Sequence, residues 1–252
     1  MGRSVLELAD RCYLAPQAQD SRRLHRTAVH NQHIFIRRAA VQALGSGWAG
    51  DPETLNLLRD RATNDEHLDV RVAAIYEMGA GWAGDPGVLP WLRDRATNDT
   101  DPDVRWTAVR AVGTGWADTP EVLTWLRDRA TNDEHHEVRR AAVQAIGTDR
   151  ADAPEVLAWL RDRATNDEHH DVRQAAVEAV GARWANDRAA LDLLRDRAKS
   201  DQHPDVRRAA VEALGSAWAD KREVLDLLRD RATNDEDEDV RQAASALLAY
   251  LA

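Results

Sequence analysis

One eight-residue string returns along this chain at a fixed step. LRDRATND begins at Leu58, Leu92, Leu126 and Leu160, reappears as LRDRAKSD at Leu194, and comes back as LRDRATND at Leu228, each step being 34 residues. A second element, Val-Arg followed by an alanine-rich run, has its arginine at Arg71, Arg105, Arg139, Arg173, Arg207 and Arg241, with Ile36-Arg37 as an earlier copy. No residue is inserted or lost between copies. Such a chain is expected to stack its repeats, because a short repeat cannot bury its own apolar side and an insertion would break the register of the stack.

Each repeat reads as two helices. Asp51-Pro52-Glu53, Asp85-Pro86 and Thr119-Pro120-Glu121 place a small polar cap, a proline and, in two of the three, an early acid where a helix should open. Val122, Leu123, Leu126 and Ala130 then share one face. Arg127 and Arg129 fall in the last turn, where positive charge suits the helix dipole. Asp101-Pro102-Asp103 opens a second helix in the same way. Val104, Ala108, Val112 and Trp116 are spaced by four, which predicts a second helix running to about Trp116; the rival reading ends it at Gly113 as a glycine cap. Trp48, Trp82, Trp116, Trp184 and Trp218 form one column, read as core packing, and Arg150 interrupts it. Hydrophobic residues make up 43% of the chain, with one Phe and three Tyr. That composition suits many thin layers better than one thick core.

These elements resemble the HEAT-repeat family, in which an aspartate follows the first helix and a Val-Arg pair opens the second. Asp65 with Val70-Arg71, Asp99 with Val104-Arg105 and Asp133 with Val138-Arg139 follow that pattern, six residues separating aspartate and arginine. The carboxylate is expected to offset the arginine at the positive end of the helix dipole. The family's proline within the first helix gives way to Leu57, Trp91, Trp125, Trp159, Leu193 and Leu227, with Pro90 one place away. Asn31 stands where the first repeat should carry the aspartate, marking that repeat as degenerate and leaving Arg37 without one. The resemblance implies an all-α, right-handed α-solenoid of about seven helix pairs. The expected repeats are 21–50, 51–84, 85–118, 119–152, 153–186, 187–220 and 221–252, preceded by a capping segment at 1–20.

Several kinds of chemistry are weighed and set aside. Gly45-Ser46-Gly47-Trp48-Ala49-Gly50 matches GxGxxG, but the dinucleotide reading needs a preceding strand, and here a helix is expected. His67, His135, His136, His169, His170 and His203 fall in the turns between paired helices. Equivalent histidines one repeat apart should stand about 8–10 Å apart, too far to share a metal ion, so a solvated edge and no metal or cofactor are expected. Deoxyhypusine hydroxylase, a HEAT-like enzyme, uses His-Glu pairs from both halves; this chain has one such pair, His136-Glu137, so no enzyme activity is expected. Phycobilin lyases share the scaffold, but nothing in this sequence identifies a chromophore pocket. The arginine column has aspartates to neutralise it, and the formal charge is −10, which argues against nucleic acid. No run of about 18 apolar residues is present, so no membrane span is expected. The single cysteine, Cys12, fits a cytoplasmic protein.

Function is expected to lie in the columns that vary. The residue after the repeat arginine runs Arg38, Val72, Trp106, Arg140, Gln174, Arg208 and Gln242, and the column four residues on runs Gln42, Tyr76, Arg110, Gln144, Glu178, Glu212 and Ala246. Residues four apart share a helix face. In HEAT-like arrays the second helices line the concave surface, which implies one exposed aromatic and cationic patch of Val72, Tyr76, Trp106, Arg110, Arg140 and Gln144. Tyr, Trp and Arg dominate binding hot spots. The expectation is a protein- or peptide-binding scaffold, similar to the arrays appended to bacterial STAND-type sensors. The alternative is self-association into a stack or ring, since Leu247, Leu248, Tyr250 and Leu251 make the final helix apolar.

Overall fold

A computed structural model of the chain describes residues 18–117, 119–148, 154–185 and 187–251. Cys12, Arg150 and nearly all of the expected capping segment lie outside them. Fourteen helices and no strand occur among the described residues. The first helices of successive pairs are α1 (Ala18–His30), α3 (Pro52–Asn64), α5 (Val88–Asn98), α7 (Pro120–Asn132), α9 (Pro154–Asn166), α11 (Arg188–Ser200) and α13 (Arg222–Asn234). The second helices are α2 (Ile34–Gly47), α4 (Leu68–Gly81), α6 (Pro102–Gly115), α8 (His136–Thr148), α10 (His170–Arg183), α12 (Pro204–Ala217) and α14 (Glu238–Tyr250). The architecture is an all-α solenoid. It falls into two compact blocks, Met1–Val122 and Leu123–Ala252.

The caps behave as their chemistry dictates. Asp51 accepts from the Thr54 N–H at 2.9 Å, with Pro52 at the first helical position of α3. Asp101 caps α6 by accepting from the Asp103 N–H at 3.0 Å. At Asp85-Pro86 the structure departs from expectation: α5 begins two residues later, at Val88, and Asp85 closes a turn onto the Gly87 N–H at 2.8 Å. Pro90 accounts for the delay. A helix opening at Pro86 would place Pro90 in its interior, where the ring clashes with the carbonyl four residues back. Starting at Val88 moves Pro90 into the first turn, where its missing N–H is not needed.

The second helices run past the glycine at Gly113 and its equivalents. α6 ends at Gly115, and the Trp116 N–H bonds the Val112 carbonyl as the cap. The tryptophan column divides by burial: Trp82, Trp184 and Trp218 are buried, while Trp48 and Trp116 are half-buried. Each interior layer is closed by a fully buried leucine of the first helix, Leu58, Leu92, Leu160, Leu194 or Leu228, and a fully buried valine such as Val70 or Val172.

Within each block successive second helices meet through a glycine, which at Gly79, Gly147 and Gly181 faces an alanine. A Cβ added at Gly79 would lie 2.7 Å from the Ala111 Cβ, and one at Gly147 would lie 2.6 Å from the Ala179 Cβ. Both distances are well inside van der Waals contact, so the backbones approach as only glycine permits. In the last such pair Gly215 faces the side chain of Leu247.

Arginines tie one repeat to the next, in a way the sequence reading misplaced. The aspartate six residues upstream offers the arginine only its backbone carbonyl, as in Arg173 Nη1 to Asp167 O at 3.0 Å. The carboxylate comes from the following repeat, 28 residues on. Arg173 donates from Nε and Nη2 to the two oxygens of Asp201 at 2.9 and 2.8 Å. Arg139 grips Asp167 likewise at 3.2 and 3.0 Å, and Arg207 grips Asp235 at 3.1 and 2.9 Å. Arg37 is therefore not left without a carboxylate. It uses the Asn31 carbonyl at 2.9 Å and the Asp65 carboxylate. Arg71 reaches Asp101 instead, at 3.0 Å.

Candidate functional site

In the N-terminal block, α2, α4 and α6 enclose an open groove of about 680 Å³. Its floor is made of small residues, including Ala73, Gly79, Ala111 and Gly115, because the glycine contacts bring these helices close together. Its walls carry Arg38 and Gln42 from α2, Val72 and Tyr76 from α4, and Trp106 and Arg110 from α6. Two variable columns four residues apart on each helix thus converge on one cavity.

The side chains differ in how free they are. Tyr76 is 64% exposed. Trp106 is half-buried rather than fully exposed, a correction to the sequence reading. Its ring is covered by the Arg110 guanidinium, 4.7 Å from the ring centroid. The buried Trp106 Nε1–H reaches no acceptor among the described residues. Arg110 is exposed and has no carboxylate partner among them, whereas Arg38 stands 4.0 Å from Asp69. No histidine, cysteine or serine lines the groove.

The other two expected residues lie elsewhere. Arg140 and Gln144 sit on α8, in the C-terminal block, and do not line this groove. Arg140 is bonded to Glu137 one helical turn back, at 2.8 Å, and Gln144 is exposed.

One buried acid that does not line the groove was missed by the sequence reading. Glu77 of α4 is 9% exposed, and its side chain packs over Gly45. Burial alone pushes its carboxyl up from 4.5 to about 7. The equivalent positions are Ala43, Ala111, Ala145, Ala179, Ala213 and, in the last repeat, Leu247. A lone acid in a column of five alanines and a leucine was the available signal.

The histidines also depart from expectation. His67, His169 and His203 are helix caps, each accepting at Nδ1 from the N–H two residues on, at 3.3 Å. In the C-terminal block five imidazoles stack in one run. His136 lies on His169 at 3.6 Å between centroids and His170 on His203 at 3.5 Å, with the sequence neighbours His135–His136 and His169–His170 at 4.9 and 4.7 Å. Equivalent histidines do not meet; the second histidine of one turn meets the first of the next. Burial lowers the His169 pKa, and the neighbouring imidazoles and Arg139 add to the effect against the opposing pull of Asp171.

A solenoid of capped helix pairs, glycine-zipped along its second helices and tied by arginine–aspartate bonds, is the class these features define. Residues 5–79, 62–147, 126–215 and 157–249 match HEAT repeats, and the chain belongs to that family. Among curated proteins none matches. The structure of YibA from Escherichia coli is similar over 98% of this chain and 93% of its own, at 19% identity and a TM-score of 0.56. A chain of the structure of Kap95p with RanGDP is similar over 100% of this chain and 37% of its own, at 13% identity and a TM-score of 0.59. The CpcE–CpcF phycocyanin lyase complex from Nostoc is similar over 95% of this chain and 97% of that chain, at 17% identity; its TM-score of 0.46 carries no argument. At these identities the likeness concerns the fold alone. No helix among the described residues is long and apolar enough to cross a membrane.

Proposed function

We propose that this chain is a binding scaffold whose N-terminal groove takes a peptide or protein segment bearing an apolar residue beside a carboxylate. The observation that carries this is the Trp106–Arg110 pair. An aromatic face, an indole N–H without an acceptor and a cation without a carboxylate stand together in one cavity. Two of these are demands that a partner can meet: apolar area for Tyr76 and Trp106, and an acid for Arg110. Kap95p, a similar solenoid, is known from its structure with RanGDP, which supports protein partners in general terms. Residues suited to nucleophilic catalysis through histidine, cysteine or serine are not part of the groove.

Selection of displayed random peptides against the intact chain tests the reading. The enriched peptides are expected to pair an acid with an aromatic or branched residue, and to lose binding at least tenfold against Tyr76→Ala/Arg110→Ala. Equal binding of those peptides to the double variant sinks it.

A second reading, self-stacking, rests on α14, where Tyr250 is 88% exposed and Arg241 donates to the Asp235 and Glu236 carbonyls. A second copy joined head to tail would offer Asn31 and Gln32 where the ladder elsewhere uses Asp65 and Glu66. The ionic ladder does not continue across such a joint, so partner binding is the better-supported reading. Light scattering over a dilution series separates the two, since a strict monomer removes self-stacking.

A further inference from the structure

We propose that the histidine edge of the C-terminal block holds two equivalent sites for a late first-row divalent cation of the zinc kind. The first is His136, His169 and Asp171; the second is His170, His203 and Asp205. Within each cluster one ligand atom from every residue lies within 4.8 Å of the others. The two clusters are the same arrangement displaced by one 34-residue repeat.

The distances follow from the helix starts. His136 and His170 are the first residues of α8 and α10, while His169 and His203 are the caps of α10 and α12. A first-turn histidine of one pair therefore lies over the cap of the next. In the first cluster Asp171 Oδ2 stands 3.8 Å from His136 Nε2 and 3.5 Å from His169 Nδ1. In the second, Asp205 Oδ2 stands 3.5 Å from His203 Nδ1. Ligands at about 2.0–2.2 Å from a tetrahedral ion stand about 3.3–3.5 Å from each other, so these carboxylate–imidazole spacings are already close to those of a bound set.

The rings must turn for this to happen. Stacked imidazoles inclined by 15° direct their lone pairs along parallel planes, which cannot meet at one ion. The four side chains are each about one-third exposed at an open edge, so the stacked rings of each pair have to turn together about their Cβ–Cγ bonds. At His169 and His203 the ion takes the Nδ1 lone pair now accepting a long 3.3 Å bond from a backbone N–H. The tautomer is already correct, since accepting at Nδ1 puts the proton on Nε2. Two imidazoles and one carboxylate suit zinc, nickel, copper(II) or cobalt(II) rather than magnesium or calcium. Three protein ligands leave water in the remaining position, and each ion clips one helix pair to the next.

The edge is self-limiting. Stepping from His136 by one repeat toward the N-terminus gives Pro102, and stepping from His170 toward the C-terminus gives Pro204. Proline supplies no ligand, so the pattern yields two clusters and not a continuous array.

Cobalt(II) titrated into metal-free chain carrying no histidine tag tests this. Wild-type protein is expected to bind two equivalents with visible absorption bands, His136→Gln one, and His136→Gln/His170→Gln none. Zinc should raise the melting temperature of the wild type and leave that of the double variant unchanged. Both substitutions fall at first helical positions and spare the capping histidines; far-UV circular dichroism verifies the helices, and Asp171→Asn/Asp205→Asn is the second route to the same loss. Fewer than two equivalents in the wild type, or undiminished uptake by both double variants, overturns the proposal.

Discussion

Arg37 and Asp65 are 28 residues apart and meet face to face: Nε donates to one carboxylate oxygen at 3.0 Å and Nη2 to the other at 2.9 Å. Both side chains are at most 5% exposed. The same aspartate also accepts from the His67 N–H at 3.0 Å and from Arg61 at 3.3 Å. Its acceptor sites are filled, which is what makes a buried carboxylate tolerable. Burial pushes the Asp65 carboxyl up, but the Arg37 hydrogen bond, the His67 N–H and the charges of Arg37 and Arg61 outweigh it and hold the pKa below its ordinary value.

Removing the arginine alone should therefore be severe. Arg37→Met leaves Asp65 buried and short of donors, at an expected loss of about 3–5 kcal/mol. Arg37→Met/Asp65→Leu should recover much of that loss. Urea unfolding of the three chains measures both numbers. Because the folded pKa of Asp65 lies below the unfolded one, the pair's contribution is present above the ordinary carboxylate value of 3.8 and fades as pH falls through the folded value.

The glycine contacts make an opposed pair of expectations. Gly147→Ala drives a methyl to 2.6 Å from the Ala179 Cβ. Overpacking of this kind costs about 1–3 kcal/mol, more than the gain of about 1 kcal/mol in helix propensity. Gly47→Ala, in α2 with nothing within 4 Å of the new Cβ, should instead stabilise by about 0.5–1 kcal/mol. Chemical denaturation midpoints of the two variants should move in opposite directions.

Much of this was legible from the period, and the misses have definite causes. The helix pairs, the cap at Asp101 and the helix end at Trp116 follow from spacing alone, because caps and apolar faces are local. The arginine partner was not legible. Six residues back and 28 residues forward add up to one repeat, so each repeat arginine from Arg71 to Arg207 sees an aspartate at both separations and the sequence cannot choose between them. The histidine contacts escaped because only equivalent positions were compared, whereas His136 meets His169, one residue short of a full repeat. The late start of α5 could have been read from Pro90, whose forbidden carbonyl is that of Pro86. Of the expected patch, Val72, Tyr76, Trp106 and Arg110 share a groove because their columns are four apart on adjacent helices. Arg140 and Gln144 continue those columns in sequence but belong to the other block.

The groove cation can be tested for stability apart from binding. Arg110 is exposed and its guanidinium lies over the Trp106 ring. A cation over an aromatic face at such a site is worth about 0.5–1 kcal/mol. Arg110→Ala should therefore lower the unfolding free energy by no more than about 1 kcal/mol, while Trp106→Ala, which also removes half-buried ring area, should lower it further. Paired urea melts check the order.

Glu77 should act against the stability of the N-terminal block as pH rises. Its folded pKa of about 7 lies above the ordinary 4.5, so the folded chain holds a proton that the unfolded chain releases. Below pH 4.5 both states are protonated and the carboxyl imposes no ionisation penalty. Between that value and about 7 the unfolded chain binds fewer protons, so stability falls with each step in pH; above about 7 the full penalty is present. A gap of this size corresponds to a penalty on the order of 3 kcal/mol. Glu77→Ala restores the residue found in this column at Ala43 and Ala111, and it should stabilise the chain at pH 8 and flatten this falling limb. Glu77→Gln, which keeps the shape but cannot ionise, should flatten it equally. A wild-type stability that does not decline from pH 5 to 8 relative to both variants would show that the buried carboxyl is not held protonated.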